Sequence, residues 1–349
     1  MEVIFNMKIN FKRFFRGMIA ILSVFTVMIA SIPVYANEGT DNAGFSSCYV
    51  TVQNGKKMHI ALYGSIDQTS GEVSFSNPEK TTLVMLPGLG EVSPHLSFKP
   101  LAQQLDSSFN VVIVEPFGYG LSDLATTTRS VENINSDLNQ ALEALNIEEC
   151  ILAVHSISGV YGLNFVYEYP EKVKGFISID NTIYDEAIQD ELEMEQEYML
   201  DAIESFDSLR NSFPSIQDFQ LALSENPAEY GATLPEIIGY TYPESDMEEY
   251  IQAYSLSSNT TIKDEINQMG QSLLTIKDKK FPDSLPVLAL LSADNVQNMP
   301  AWETGHRNQL NFESGNHELY ILNGSHYIWH TNLSGIIDHI EDWQASHNF

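Results

Sequence analysis

The sequence predicts an α/β fold: a mostly parallel sheet with helices on both faces, led by an antiparallel hairpin and interrupted by a helical insert. Three observations predict it. Short, nearly continuous apolar runs at 83–86, 111–114, 151–154, 176–179 and 287–291 suit strands buried on both faces. Amphipathic helical patterns alternate with these runs, the rhythm of parallel strands joined by crossover helices. Between residues 182 and 262 that rhythm stops, and the chain carries 18 acidic residues against one basic residue, Arg210.

Taken in order, the chain opens with a basic segment (Lys8, Lys12, Arg13, Arg16) followed by an apolar run at 18–32. Val34-Tyr35-Ala36 then offers small residues at signal-peptidase spacing, so residues 1–36 read as a signal peptide cleaved after Ala36. The expected location is secreted or extracytoplasmic, with no membrane span after cleavage. If uncleaved, the same segment is a membrane anchor. Residues 37–46 are small and polar and read as a flexible tail. Two alternating runs, 48–53 and 57–63, flank Asn54-Gly55, a strong hairpin signal.

Helical elements follow. Ser93 precedes Pro94 at the first position of a helix over 94–105. Ser130 caps a stretch in which Val131, Ile134, Leu138, Leu142 and Leu145 recur at spacings of three and four. A helix over 157–169 ends at Pro170, which cannot continue it. Residues 182–280 read as an inserted acidic lid over the carboxyl edge of the sheet, where α/β folds bind ligands. Met194, Tyr198, Met199, Phe206, Phe213, Phe219 and Tyr240 are candidates for its apolar inner face, and equally for packing between its helices.

Of the 349 residues, 17 are Lys or Arg and 47 are Asp or Glu, a net charge of −30. So acidic a chain repels phosphate backbones, which argues against nucleic-acid binding. Cys48 and Cys150 are the only cysteines, too few for a disulfide framework or a Cys-rich zinc module.

The chemistry concentrates where the run 151–154 meets the next helix: Val154-His155-Ser156-Ile157-Ser158-Gly159. A strand entering a helix through a serine with small neighbours is the setting of a strained turn that lifts the hydroxyl above the sheet. A serine there also serves as a helix N-cap. Leu86-Pro87-Gly88-Leu89-Gly90 is a glycine turn after a strand, and the amides of Leu89 and Ile157 are placed to bind an oxyanion. A second glycine-rich turn, 115–123, reads as a loop shaping the cleft. His326, in Asn323-Gly324-Ser325-His326 after an apolar run, is the candidate base. His326 and His330 are four apart, but no third ligand accompanies them, so no metal is expected.

Together these pieces resemble the α/β-hydrolase superfamily, in its lid-bearing esterase, lipase and aminopeptidase-like branch, over roughly residues 49–345. Val154 to Gly159 is similar to the family's Gly-His-Ser-x-Gly-Gly elbow, with Val154 and Ser158 replacing two glycines. Pro87 stands where its His-Gly loop has histidine, 115–123 is similar to its Asp-x-Pro-Gly-x-Gly-x-Ser-Asp turn, and Gly324-Ser325-His326 matches its histidine loop.

The resemblance implies an eight-stranded, mostly parallel sheet formed by 47–181 and 281–349. It implies a serine hydrolase that cleaves a small-molecule acyl substrate, a carboxylic ester first, through an acyl-enzyme on Ser156 with His326 as base and no cofactor. The alternatives are an aminopeptidase of the proline-releasing type and a non-catalytic binding protein. A serine at 156 argues against epoxide hydrolase or dehalogenase chemistry, where the family uses aspartate. The family's acid usually follows strand seven; strict counting from Ser292 reaches Asn295, so the adjacent Asp294 is the first choice and Asp180, after strand six, the alternative. The same topology sets Cys48 and Cys150 on separated strands, too far apart to bond.

Overall fold

The structure is a computed structural model, and it describes residues 45–52, 55–67, 74–77, 79–186, 189–347 and 349. The proposed signal peptide and most of the proposed tail lie outside the described residues.

The main sheet contains eight strands. In chain order these are β1 (Phe45–Val52), β2 (Lys56–Tyr63), β5 (Thr82–Leu86), β6 (Asn110–Glu115), β7 (Cys150–His155), β8 (Val173–Ile179), β9 (Val287–Ser292) and β10 (His317–Leu322), with β3 (Ile66–Asp67) and β4 (Ser74–Phe75) forming a separate two-stranded ribbon. The spatial order is β1-β2-β6-β5-β7-β8-β9-β10. β1 and β2 run antiparallel to each other, β2 pairs antiparallel with β6, and the rest are parallel. All six residues of β6, of β7 and of β9 are buried, as apolar runs covered on both faces require. β1 starts at Phe45, two residues inside the expected tail. The Phe45 ring stacks on His95 at 5.1 Å, which gives the strand a reason to begin there.

Cys48 on β1 and Cys150 on β7 stand four strand positions apart, roughly 19 Å at 4.8 Å per strand. Both are free thiols.

Helices α1 (Pro94–Leu105), α2 (Val131–Ala144) and α3 (Ser158–Glu168) fill the crossovers. The hydroxyl of Ser93 caps α1 and that of Ser130 caps α2, accepting from the amides of Leu96 and Asn133. Four helices then separate β8 from β9: α4 (Gln189–Arg210), α5 (Ile216–Glu225), α6 (Ser245–Leu256) and α7 (Thr260–Leu274). They form a small core of their own, in which Phe219, Leu223, Tyr250, Ile251 and Tyr254 pack on Leu96 of α1. Phe206 and Phe213 pack against this same core, so these three phenylalanines hold the insert together.

The insert grips α1 through a defect in it. Pro100 lies inside α1 and has no N–H to offer the carbonyl of Leu96. The Tyr242 hydroxyl donates to that carbonyl instead, at 2.8 Å. Lys99 adds an ion pair to Asp246 of α6 at 2.6 Å. On the far side, Tyr161 of α3 donates to Glu265 of α7 at 2.8 Å, and the Arg129 amide donates to Asp264 at 2.6 Å. Among the described residues, no helix is long and apolar enough to cross a membrane.

After β9 come α8 (Ala293–Asn298) and α9 (Ala301–Gln309), and after β10 come α10 (Ile328–Thr331) and α11 (Leu333–His347).

Candidate active site

Ser156 sits between β7 and α3 with φ of +54°, a left-handed conformation that L-residues adopt at a cost of about 1–3 kcal/mol. The turn is held from two sides: the Ser156 carbonyl accepts from the amides of Gly159 (2.9 Å) and Thr182 (2.8 Å). Its neighbours have to be small. A Cβ on Gly159 would lie 2.0 Å from Asn181, and one on Gly88 would lie 2.8 Å from His155 and 3.2 Å from the Ser156 Cβ. Ser158 fits where the family motif has glycine because its hydroxyl donates to the Pro87 carbonyl, tying the elbow to the loop at 87–90. Val154 fits because Gly162, one turn into α3, leaves space for it; a Cβ there would lie 3.1 Å from Val154 Cγ1.

His326 follows β10 and is 6% exposed. Its Nδ1 lies 2.8 Å from Oδ2 of Asp180, the residue after β8, which is fully buried. Asp180 also has positive φ, +44°. Four donors converge on its carboxylate. Ser292 N–H (2.9 Å) and Trp302 Nε1–H (2.8 Å) reach Oδ1, and Asn295 Nδ2–H (2.7 Å) and His326 Nδ1–H reach Oδ2. With Nδ1–H committed to Asp180, Nε2 of His326 carries the free lone pair.

His155 links serine and histidine. Its ring centroid is 4.5 Å from that of His326, and its Nε2–H donates to the His326 carbonyl at 3.1 Å. Burial, then the neighbouring His326, pushes its pKa well below the ordinary value, so His155 is neutral. The amides of Leu89 and Ile157 donate to no protein acceptor among the described residues and flank the turn that carries Ser156.

The sequence-derived residues therefore divide. Ser156, His326, Leu89, Ile157 and the alternative acid Asp180 gather at the carboxyl edge of β5, β7 and β8. Asp294 does not join them. It lies in the first turn of α8, exposed, and its side chain has no partner among the described residues. The physical reason is the Ser292 cap: its hydroxyl accepts from Asn295 N–H, starting α8 at once and turning residue 295, not 294, inward. His330 faces Ser97 at 3.4 Å while His326 faces Asp180, so the two histidines do not share a metal-ligand geometry. Among the described residues no cluster of three or more His, Cys, Asp or Glu could hold a metal ion.

Sequence reasoning missed three contributors: His155, Asn295 and Trp302. His155 carried a signal as the histidine of the elbow motif, and Asn295 because strict counting ended on it; Trp302 carried none.

A second histidine–carboxylate cluster lies at the same end of the sheet. Glu115, at the end of β6 and fully buried, lies 2.9 Å from His59 Nδ1 and accepts from the amides of His95 (3.0 Å) and Leu121 (2.8 Å). This explains the glycine-rich turn at 115–123, which wraps the carboxylate. A Cβ on Gly120 (φ +50°) would lie 1.9 Å from Glu115 Oε2. His95 in turn reaches Glu249 of α6 at 2.6 Å and the Tyr63 hydroxyl at 2.7 Å.

The family described as alpha/beta hydrolase fold matches residues 81–268. An uncharacterized protein, YbdG of Bacillus subtilis (strain 168), is 24% identical over 251 residues, 70% of this chain and 68% of that protein. The 2-(acetamidomethylene)succinate hydrolase of Mesorhizobium japonicum is 29% identical over 95 residues, 27% of this chain and 34% of that protein. Among solved structures, the Cif epoxide hydrolase of Acinetobacter nosocomialis superposes with a TM-score of 0.62 at 17% identity. That match covers 87% of this chain and 90% of that one, a likeness of fold.

Proposed function

The chain belongs to the α/β-hydrolase fold family, and we propose that within it this protein is an exported serine hydrolase that cleaves a carboxylic ester through an acyl-enzyme on Ser156. The observation that carries the reading is the left-handed Ser156 next to His155, whose ring lies 4.5 Å from that of His326, an imidazole whose Nδ1 is held by a buried carboxylate. The Ser156 hydroxyl attacks the substrate carbonyl as its proton passes to Nε2 of His326. Asp180 accepts from Nδ1–H and stabilises the imidazolium that forms. The amides of Leu89 and Ile157 hold the oxyanion. His326 then gives the proton to the leaving alkoxide. In the second half, His326 takes a proton from water, the hydroxide releases the acid, and Ser156 is restored. The residues need no cofactor for these steps.

An epoxide hydrolase is among the structural neighbours. The serine hydroxyl at 156 favours acyl transfer over alkyl-ester chemistry, for which the family uses aspartate. Export rests on the basic, then apolar, segment that ends at Ala36.

A fluorophosphonate probe tests the reading. Wild-type protein is expected to be labelled at Ser156 and Ser156→Ala is not; an unlabelled, folded wild type overturns it in favour of a non-catalytic binding protein. Hydrolysis rates on an ester chain-length series and on amino-acid arylamides, with Ser156→Ala as blank, then separate esterase from aminopeptidase.

A further inference from the structure

Glu265 of α7 is 2% exposed, and two phenols meet its carboxyl. Tyr161 of α3 donates to Oε1 at 2.8 Å. Tyr119, in the glycine-rich turn, faces the same carboxyl, and its own oxygen accepts from Gly90 N–H at 3.3 Å. Both rings are buried. Burial, then the charge of Glu265, pushes both phenol pKa values well above the ordinary value, so both stay protonated and able to donate. Arg129, buried and paired with Asp137 at 2.7 Å, supplies the positive charge that favours a carboxylate at this depth.

The two branches from Glu265 end at the two halves of the candidate oxyanion site. Gly90 is one residue beyond Leu89, and Tyr161 is one helical turn beyond Ile157. Gly90 has φ of +69°, in the region that favours glycine, so the course of the loop there depends on what holds its amide. Ser158 ties the same two halves together directly, through the Pro87 carbonyl. The start of α7 is seated on the glycine-rich turn as well. Asn259 donates to the Gly118 carbonyl at 2.7 Å, and Thr261 accepts from Ala125 N–H at 3.0 Å. Glu265 is therefore delivered by an insert helix that is fastened to the core on both sides of it.

We propose that Glu265 is a positioning residue for the oxyanion site: its carboxyl, acting through Tyr119 and Tyr161, sets the separation of the Leu89 and Ile157 amides. The consequence for Ser156 rests on the serine-hydrolase reading above. The hold on Gly90 does not. Misplacing a catalytic group by about 1 Å costs about 10²-fold in rate. An oxyanion donor acts on the transition state, so the loss falls on the maximal rate and not on the binding of the reagent.

The test compares full-length wild type with Y119F, Y161F, Y119F/Y161F, E265Q and E265L, and with K99M as a variant that loosens the insert at its other anchor. Four quantities are read: the maximal rate of fluorophosphonate labelling, the probe concentration that gives half that rate, the melting temperature, and hydrogen exchange of the Gly90 amide. Y119F is expected to lower the maximal rate about tenfold and E265L about 10²-fold, with the half-saturating concentration within about twofold of wild type. E265Q keeps an acceptor oxygen for the phenols and is expected to stay within about threefold. K99M is expected to leave the maximal rate within about twofold, although it lowers the melting temperature. The Gly90 amide is expected to exchange about tenfold faster in Y119F and E265L than in wild type.

Unchanged maximal rates in E265L and Y119F/Y161F overturn the proposal. So does a loss confined to the half-saturating concentration, which would make Glu265 a shaper of the pocket, and so does unaltered exchange at Gly90. Where E265L does not fold, Y119F/Y161F, which keeps both rings, decides alone. If the wild type itself is not labelled, the serine-hydrolase reading falls, while exchange at Gly90 still decides whether Glu265 holds the loop.

Discussion

Two buried histidine–carboxylate pairs stand at the carboxyl end of one sheet. His326–Asp180 closes at 2.8 Å and His59–Glu115 at 2.9 Å. Pair geometry does not distinguish them; their surroundings do. Next to His155, whose ring lies 4.5 Å from that of His326, is a serine in a strained, left-handed turn, and that serine's hydroxyl has no protein partner among the described residues. Beside His59, the Ser122 hydroxyl accepts from the His59 amide at 2.8 Å and donates to the Glu115 carbonyl. That hydroxyl is spent on structure. On the proposed reading, His326 serves as a base because a serine hydroxyl near it is left without a protein partner. Elsewhere the same pair is a brace, here joining the hairpin strand β2 to the glycine turn and, through His95 and Glu249, to the insert.

The largest expected effects test that division of labour. Asp180→Asn should slow labelling of Ser156 by about 10³–10⁴-fold per folded molecule, beyond whatever stability it costs. Asp294→Asn, at the exposed site one residue from the inward position, should leave the rate within about threefold of wild type, as exposed substitutions away from special features do. Glu115→Gln should do the reverse of Asp180→Asn. It leaves a buried histidine without its counter-charge, expected to cost about 3–5 kcal/mol in denaturant unfolding, while labelling per folded molecule stays near wild type. Equal loss of labelling and stability in both variants would erase the distinction drawn between the pairs.

How far this was legible differs by layer. The strands and crossover helices were readable because burial on both faces leaves continuous apolar runs and caps leave serines: α1 and α2 begin where Ser93 and Ser130 say they should. The turn at Ser156 was readable because a strained turn demands small neighbours in fixed positions. The acid was not readable with the same certainty. A carboxylate reaches the imidazole from either of two loops, and what decides between Asp180 and Asp294 is the Ser292 cap, a single hydrogen bond that rotates residue 294 outward. Trp302 and the partners of Glu115, His59 and His95, come together from strands and helices far apart in sequence, so no local pattern announces their contacts. Val154 looked like a departure from the elbow pattern until its partner Gly162, eight residues on, explained the space it occupies.

Titration gives the next effect. Burial works against charge on His59, but the hydrogen bond and charge of Glu115 outweigh it and hold the His59 pKa above 6.5. Burial likewise opposes charge on Glu115, and His59 brings its pKa below 4.5. The raised histidine contributes stability that is complete below 6.5 and lost as pH rises through its folded value. The lowered glutamate contributes stability present above 4.5 and lost as pH falls through its own. The pair is therefore strongest between about pH 4.5 and 6.5, and the stability difference between wild type and Glu115→Gln should peak in that window in urea titrations. Glu91, just beyond the loop at 87–90, has the opposite signature. Burial pushes its carboxyl up to about 8, and its Oε2 is buried without a partner. The folded protein thus holds a proton that the unfolded chain gives up, so this group's contribution falls as pH rises from 4.5 towards 8. Glu91→Gln should flatten that slope, and an unaltered slope would mean that the loop does not bury the charge.

The smallest effect concerns the grip of the insert on α1. Lys99 and Asp246 pair at 2.6 Å, with side chains 13% and 9% exposed, and Tyr242 donates to the carbonyl that Pro100 leaves open. Partial burial makes this pair stronger than an exposed one, yet desolvation offsets much of the gain, so Lys99→Met should cost only about 1 kcal/mol. Tyr242→Phe leaves the Leu96 carbonyl without its donor and should cost a similar amount, about 1–2 kcal/mol. Both losses are local, because α1 keeps its core packing through Phe98, Leu101 and Leu105. Amide hydrogen exchange should therefore quicken in α6 and in the first turn of α1 while β5 and β6 stay protected. Uniform acceleration across the sheet would show instead that the insert and the core unfold as one unit, and that the brace at Glu115 and the clasp at Lys99 belong to a single cooperative structure.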